Sequence, residues 1–242
     1  MDVRHSALAK WLVRLAIRSQ LTDEDRRTVM AFPGRVEAFA TSRDVVSLGE
    51  RTTHCCLIAD GLVARFGQTS DGLRQLSAFY IPGDMADLHS AVLPRVTAPL
   101  QSATRATVVF VPHEHVVAAA DRSPTLARAF WRDCVADAQI TSEWMLNNGR
   151  RDARARLAHL ICELSCRHAA IGEDPLDFPL EASQHHLADA LGLTSVHINR
   201  TLRQLREAGV LSVGGRRVTI HDWAGCTKLG DFTPDYLHLA PE

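Results

Sequence analysis

The sequence predicts an α+β protein in which a compact β domain is followed by a long helix and a winged helix-turn-helix. Short apolar runs separated by turn residues fill residues 36–112, as in an antiparallel barrel or jelly roll. Residues 123–147 follow with one continuous helical pattern. Near the carboxy end, two short helical patterns meet at a glycine and precede a glycine-rich hairpin. The predicted domains are residues 1–120, the β domain with amino-terminal helices; 121–148, a dimerisation helix; 149–222, the winged helix-turn-helix; and 223–242, a carboxy-terminal tail.

The bulk composition restricts the class and the compartment of the protein. A chain of 242 residues exceeds one core of typical size, which is why two domains are expected. The net charge of −1 argues against a general polyanion-binding protein but permits a local basic surface. No apolar stretch approaches the roughly 20 residues that cross a bilayer, and the amino terminus lacks the apolar segment of a signal peptide. We therefore expect a cytoplasmic protein without membrane contact.

The six cysteines show neither a disulfide framework nor a CxxC metal motif. In a cytosolic chain they are best interpreted as small buried side chains, with metal or redox ligation as the alternative. Cys162 and Cys166 have helical spacing and are expected on one helix face. The other four are Cys55, Cys56, Cys134 and Cys226.

The β domain is preceded by a helical pattern over residues 3–31. Within it, Thr22 is the expected cap of a helix whose first turn is acidic at residues 23–25. In the β domain itself, glycines recur every eleven or twelve residues, at Gly49, Gly61, Gly72 and Gly83. Such spacing is typical of turns between short antiparallel strands.

The long helical pattern of residues 123–147 has a candidate heptad seam at Leu126, Phe130, Ile140 and Trp144. Asp133 and Asp137 interrupt it. Two interpretations stay open: a helix packed on its own domain, and a helix that pairs with a second copy of the chain. The second is favoured because the helix separates two otherwise complete units. Gly149 is then expected to open a further helix, which has one apolar side at Leu157, Leu160, Ile161 and Leu164. A loop at 172–179 follows this helix.

The helix-turn-helix pattern begins with Ser183 as a helix cap and has Gly192 where the turn needs a positive φ. The second helix is expected to begin at Thr194 and to end before Gly209. Helical spacing directs a set of residues inward: Leu187, Ala188 and Leu191 on the first helix, and Ile198, Thr201, Leu202 and Leu205 on the second. Two strands then form a wing through Gly214 and Gly215, at Val210–Val213 and Arg217–Ile220.

The outward face of the second helix carries residue types that suit the major groove of double-stranded DNA. Arg200 can donate twice to guanine, Asn199 can pair with adenine, and Val196 can contact a thymine methyl. On the wing, Arg216 and Arg217 lie where they would face the phosphates. The alternatives are a solvated helix face and a winged helix used only for protein contacts. The predicted DNA-contacting residues are Ser183, Gln184, Ser195, Val196, His197, Asn199, Arg200, Arg203 and Arg216.

The order of domains and two segments resemble the Crp/Fnr family of regulators over about residues 20–222; the segments are IPGDMADLHS (Ile81–Ser90) and LADALGLTSVHINRTLRQLREAGVL (Leu187–Leu211). The resemblance implies a cyclic-nucleotide-binding-like β-roll as sensor, a homodimer on a palindromic operator, and RNA polymerase as a partner. It places base reading on Ser195, Val196, His197 and Arg200. Val196 stands where glutamate is common, so the operator should differ at that base pair, because valine cannot accept from cytosine.

The resemblance also places an effector pocket in the β-roll, at Asp87, His89 and Arg95. Relatives that bind cyclic nucleotides carry Gly-Glu and then Arg-Ser/Thr-Ala, whereas Val96 and Thr97 follow Arg95 here, which argues against cyclic AMP. No cysteine precedes Cys55, which argues against the iron–sulfur cluster of oxygen-sensing relatives. His89 could ligate haem, although a satisfied or exposed histidine is the favoured interpretation. No cofactor is predicted.

These observations predict a sequence-specific transcription regulator that is not an enzyme. One alternative is a cupin-like metal enzyme, for which His113, Glu114 and His115 supply only part of a ligand set. The other is a cyclic-nucleotide-binding interaction module whose winged helix does not bind DNA. The scattered histidines argue against the enzyme, and the outward Arg200 and Arg203 argue against the module.

Overall fold

The computed structural model describes residues 2–239, so Met1 and residues 240–242, the end of the predicted tail, lie outside the described part. The chain divides into two compact units. One contains the chain up to Phe66 together with Phe79–Ala138, and the other contains Gly67–Ala78 and Gln139–Leu237. Among the described residues, no helix combines the length and apolar character needed to cross a membrane.

The amino-terminal segment forms two helices, α1 (Val3–Arg18) and α2 (Asp23–Met30), rather than the single predicted run. The extended backbone of Ser19 ends α1. Thr22 caps α2 as predicted, and Asp25 accepts a hydrogen bond from the Thr22 N–H in return. The acidic first turn therefore serves to start a helix.

The strands of the β domain form antiparallel ladders in two sheets. β7 lies between β1 and β3 in one sheet, and the other has the order β2-β6-β4-β5; the strands are β1 (Arg35–Phe39), β2 (Asp44–Val46), β3 (His54–Asp60), β4 (Val63–Gln68), β5 (Arg74–Tyr80), β6 (Leu100–Ser102) and β7 (Ala106–Pro112). The four regularly spaced glycines have φ between 79° and 89°, which glycine adopts without strain. They mark turns, as their spacing predicts.

Two helices, α3 (His113–Arg122) and α4 (Pro124–Arg150), follow the β domain. In the core of the first unit, the ring of Trp11 stacks on that of Phe130 with centroids 5.5 Å apart. The predicted heptad seam of α4 was wrong, because its residues fill the interior of their own chain: Leu126, Phe130, Ile140 and Trp144 are all buried.

The second unit contains a three-stranded sheet in which β10 lies between β8 and β9. Its further elements, in chain order with the strands, are α5 (Ala153–Ala169), β8 (Asp177–Pro179), α6 (Gln184–Leu191), α7 (Ser195–Glu207), β9 (Leu211–Gly214), β10 (Arg217–Ile220) and α8 (Trp223–Gly230). The predicted apolar side of α5 is buried at each of its four positions, Leu157, Leu160, Ile161 and Leu164.

The start of α5 and the segment before α6 differ from the prediction. Gly149 lies within α4, and α5 begins after Asp152, whose carboxylate accepts two backbone N–H groups of the first turn. A capping aspartate, rather than the glycine, therefore marks the new helix. The predicted loop at 172–179 includes β8, which pairs with β10 and completes the sheet.

The wing turn is displaced by one residue from the prediction. Gly214 pairs with Arg217 in the ladder, so the turn itself consists of Gly215 and Arg216. Their φ values are 58° and 63°. Two consecutive left-handed residues are the geometry of a type I′ hairpin turn, whose twist matches that of the strands.

The segment after the wing packs into the second unit. Gly230 lies against the backbone of His159, where an added Cβ would come within 2.7 Å of the His159 nitrogen. The Tyr236 hydroxyl donates to Glu163 at 3.1 Å, and the sulfurs of Cys162 and Cys226 lie 3.4 Å apart. The six cysteines are free; the prediction of buried thiols holds for Cys55, Cys56, Cys162 and Cys226, whereas Cys134 and Cys166 are half-buried.

Candidate nucleic-acid interface

Local capping bonds and one glycine turn hold α6 and α7 together. Ser183 Oγ accepts a hydrogen bond from His186 N at 3.2 Å, and the His186 side chain accepts one from Ser183 N in return. Gly192 ends α6 with φ of 61°. Thr194 Oγ1 accepts from His197 N at 3.2 Å and starts α7. The predicted cap, turn and helix start are confirmed.

The two sides of α7 differ sharply in exposure. Its inward side is buried as predicted, except at Leu202, which is half-buried. On the outward side, Val196 is 79% exposed, so an apolar side chain projects into solvent among polar neighbours. The remaining predicted contact residues of this helix are the exposed Asn199, Arg200 and Arg203 and the half-buried Ser195 and His197.

The first turn of α6 contributes to the same surface through two side-chain contacts. Gln184 Nε2 donates to Asn199 Oδ1 at 2.7 Å, and Asn199 Nδ2 donates to Gln184 Oε1 at 2.5 Å. One residue further, His185 Nδ1 lies 3.0 Å from Ser195 Oγ. The sequence reasoning missed His185, although its place beside Gln184 in a capped first turn would have indicated it.

The outward surface of α7 is cationic. Arg200 Nη2 donates to His197 Nε2 at 2.9 Å, which directs the guanidinium along the helix surface. Arg203 Nε lies 3.9 Å from Glu207 Oε1. An exposed ion pair of this kind contributes little and exchanges readily for a phosphate. The amino end of α7 adds the positive end of the helix dipole.

The two wing arginines have different roles. Arg216 is exposed in the turn, where its side chain is available to a phosphate backbone. Arg217 instead binds Asp177, with Nε 2.5 Å from the carboxylate and Nη2 donating to the carbonyl at 2.7 Å. This contact joins β10 to β8, and because the Arg217 side chain is still 50% exposed, the expectation that it faces phosphates stays a prediction.

The predicted effector residues do line one cavity in the first unit. Asp87, His89 and Arg95 surround a space of about 20 Å³. Asp87 accepts a hydrogen bond from Cys56 N at 2.6 Å, and burial raises the pKa of its carboxyl group. This space admits about one water molecule, whereas small-molecule sites measure on the order of 300 Å³ or more.

The histidines at the start of α3 make other contacts. His113 Nε2 lies 2.8 Å from Ser90 Oγ, and burial lowers the pKa of the His113 imidazole. The side chain of Glu114 is 83% exposed. Across residues 2–239, no three His, Cys, Asp or Glu side chains are grouped to hold a metal ion.

A β-roll, a long helix and a winged helix-turn-helix with an exposed cationic face define a DNA-binding transcription regulator. Residues 155–228 match a family model described as a Crp-like helix-turn-helix domain. The sequence is 29% identical, over 216 residues, to the nitrogen fixation regulation protein FixK of Azorhizobium caulinodans, with 88% of this chain and 86% of the relative covered. Over most of its length the chain is thus similar to Crp/Fnr transcription regulators, and its residues 155–228 match the DNA-binding domain of that type.

Further proteins show the same similarity. The fumarate and nitrate reduction regulatory protein of Escherichia coli is 24% identical over 185 residues, 76% of this chain and 74% of the relative. The structure of FixK2 from Bradyrhizobium japonicum superimposes with a TM-score of 0.74 at 24% identity, covering 83% of this chain and 99% of that one. A Crp/Fnr-family regulator of Thermus thermophilus has a TM-score of 0.61 at 16% identity, covering 82% and 99%. These structures share the fold, so the predicted architecture is confirmed.

Proposed function

We propose that this protein is a homodimer that binds a palindromic DNA operator and controls transcription from it. It acts in the cytoplasm, together with RNA polymerase, and has no enzymatic activity of its own. The observation that carries the proposal is the outward face of α7, where Val196, Asn199 and Arg200 are exposed on a helix whose other side is buried. Such a helix can enter a major groove without disturbing the core.

An exposed apolar stripe along α4 supports pairing of two chains. Trp131, Val135 and Met145 are 70%, 52% and 74% exposed, far more than large apolar residues usually are. With the exposed Ala138 and Ser142, they follow alternating steps of four and three residues. This is the spacing of a coiled-coil seam, in which each helix covers the stripe of the other.

The two aspartates that interrupt the predicted seam lie away from this stripe. Asp133 accepts hydrogen bonds from Trp11 Nε1 at 3.2 Å and Arg18 Nη1 at 2.5 Å. Asp137 accepts one from Arg65 Nη1 at 2.9 Å. Because both carboxylates are bonded within the first unit, they bring no charge into the surface that a second helix would cover.

The side chains on α7 supply the chemistry for base recognition. Arg200 suits the two acceptors of guanine, and Val196 suits the methyl group of thymine. Glutamate, common at the position of Val196 in the family, accepts from cytosine instead. The proposed operator therefore has a guanine opposite Arg200 and a thymine where a relative with glutamate would read cytosine.

The proposed regulator binds its operator without a cyclic nucleotide, haem or iron–sulfur cluster. The cavity of about 20 Å³ at Asp87, His89 and Arg95 does not fit a nucleotide or a haem beside His89. Cys55 and Cys56 are adjacent on β3, so their side chains point to opposite faces of the sheet and do not converge on one cluster. Titration with cyclic AMP should leave the operator affinity unchanged.

Selection of bound fragments from random double-stranded DNA tests the proposed function directly. The expected result is a symmetric motif with half-sites about 10 base pairs apart, centre to centre. Affinity for this motif should fall steeply with added salt, because arginine–phosphate contacts release counterions. A motif with a single half-site would contradict the dimer, and the absence of any enriched motif would contradict sequence-specific binding.

A further inference from the structure

The amide side chains of Gln184 on α6 and Asn199 on α7 form a closed pair. Each donates to the other, at 2.7 Å from Gln184 Nε2 to Asn199 Oδ1 and at 2.5 Å from Asn199 Nδ2 to Gln184 Oε1. Both residues are exposed. On α7, Asn199 lies next to Arg200 and one turn from Val196, so the pair belongs to the surface that the proposed function directs at DNA.

The pair retains hydrogen-bonding capacity on its outer edge. A primary amide has two N–H donors and an oxygen with two lone pairs, and the reciprocal bonds use one donor and one acceptor site of each residue. Gln184 Nε2 and Asn199 Oδ1 lie only 2.7 Å apart. The second N–H of Gln184 therefore emerges beside the second lone pair of Asn199, and the edge presents a donor next to an acceptor.

A donor next to an acceptor matches adenine in the major groove. Adenine presents the N7 acceptor beside the N6 donor, whereas guanine presents two acceptors and would leave the Asn199 lone pair unmatched. A polar group left without a partner in a desolvated contact costs binding free energy. The pair should therefore bind adenine in preference to guanine. In the closed pair this edge is composite, because its donor belongs to Gln184 and its acceptor to Asn199.

We propose that Gln184 and Asn199 act as one reading unit for an adenine in each half-site. The inference rests on the proposed function, since it takes the face of α7 as the DNA-contacting surface. This differs from base recognition by α7 alone. Asn199 does not use its own donor and acceptor together on the base, because Gln184 occupies that edge.

If the Gln184–Asn199 contact served only to hold α6 and α7 together, its removal would give a different result. α6 and α7 are already connected by the Gly192 turn, and each buries an apolar side chain in the second unit, Leu191 and Ile198. Removal of an exposed amide should therefore leave the thermal midpoint unchanged. A reading unit instead changes base preference at one position, which thermal stability does not report.

The experiment compares the DNA motifs selected by the full-length wild type, Gln184→Ala, Asn199→Ala and the double variant. Both single variants should lose about tenfold discrimination for adenine at the same position of each half-site. The double variant should lose no more than either single variant, because each alone dissolves the pair. Gln204→Ala, which removes an exposed amide of α7 outside the pair, is the matched control and should retain the adenine preference.

Three outcomes overturn the reading unit: losses at different positions, additive losses in the double variant, or an unchanged preference in Gln184→Ala. If the wild type still selects a symmetric motif, these outcomes leave the proposed function intact. If the wild type selects no symmetric motif, both proposals fail. Gln184→Met, which keeps the side-chain length without the hydrogen bonds, replaces the alanine variant if that variant has a lowered thermal midpoint.

Discussion

Replacement of Arg200 by alanine should weaken operator binding without affecting the fold. The guanidinium is exposed and donates one hydrogen bond to His197, so further N–H groups are available to a guanine edge. Loss of an arginine bonded to guanine costs about 1–3 kcal/mol, or roughly 5- to 150-fold in affinity. Because the side chain is exposed, the free energy of unfolding should change by less than about 0.5 kcal/mol.

The assay is fluorescence anisotropy on the selected operator and on an unrelated duplex, at one salt concentration. Arg206→Ala is the matched control, since Arg206 is exposed near the carboxy end of the same helix, away from the amino-terminal half proposed to read bases. Arg200→Ala should lose affinity for the operator far more than for the unrelated duplex, whereas Arg206→Ala should affect both equally. Equal affinity of Arg200→Ala and wild type for the operator would refute the assignment.

Three further perturbations test the turn, the stripe and the buried carboxylate. Gly192→Ala places a side chain at φ of 61° and should lower the free energy of unfolding by about 1–2 kcal/mol, and an unchanged thermal midpoint would contradict this. Trp131→Glu puts charge into the exposed stripe of α4 and should yield monomers in sedimentation equilibrium; a persistent dimer would exclude this seam. Burial raises the pKa of Asp87 above 3.8, so wild type loses stability as the pH rises from 3.8 through the raised folded-state pKa. Asp87→Asn should therefore be more stable than wild type at pH 7, with a gain in chemical denaturation that vanishes towards pH 3.8; a gain independent of pH would contradict this.

The parts of the fold that sequence reasoning predicted are those decided by local chemistry. Thr22, Ser183 and Thr194 cap helices because a hydroxyl can reach the N–H groups of the following turn. Gly192 ends α6 because the left-handed conformation is costly for other residues. The outward face of α7 follows from helical spacing, which needs no knowledge of the neighbouring elements.

The parts that could not be predicted depend on partners distant in the chain. Two apolar stripes on α4 have similar spacing, and packing against distant residues, such as Phe130 against Trp11, decides which is internal. β8 has three residues and exists because β10 pairs with it. The bond between Gln184 and Asn199 spans fifteen residues across a turn, and its geometry depends on how the two helices pack.

Arg65 connects the cavity of the β-roll to the helix that carries the exposed stripe. It lines the cavity of about 20 Å³, and its guanidinium donates to Asp137 on α4 at 2.9 Å. The buried Tyr80 donates to the same carboxylate at 2.9 Å, so Asp137 is held from two strands. Ala138, the next residue, belongs to the exposed stripe. A rearrangement of the cavity that displaces Arg65 would break its bond to Asp137, one residue from the proposed seam.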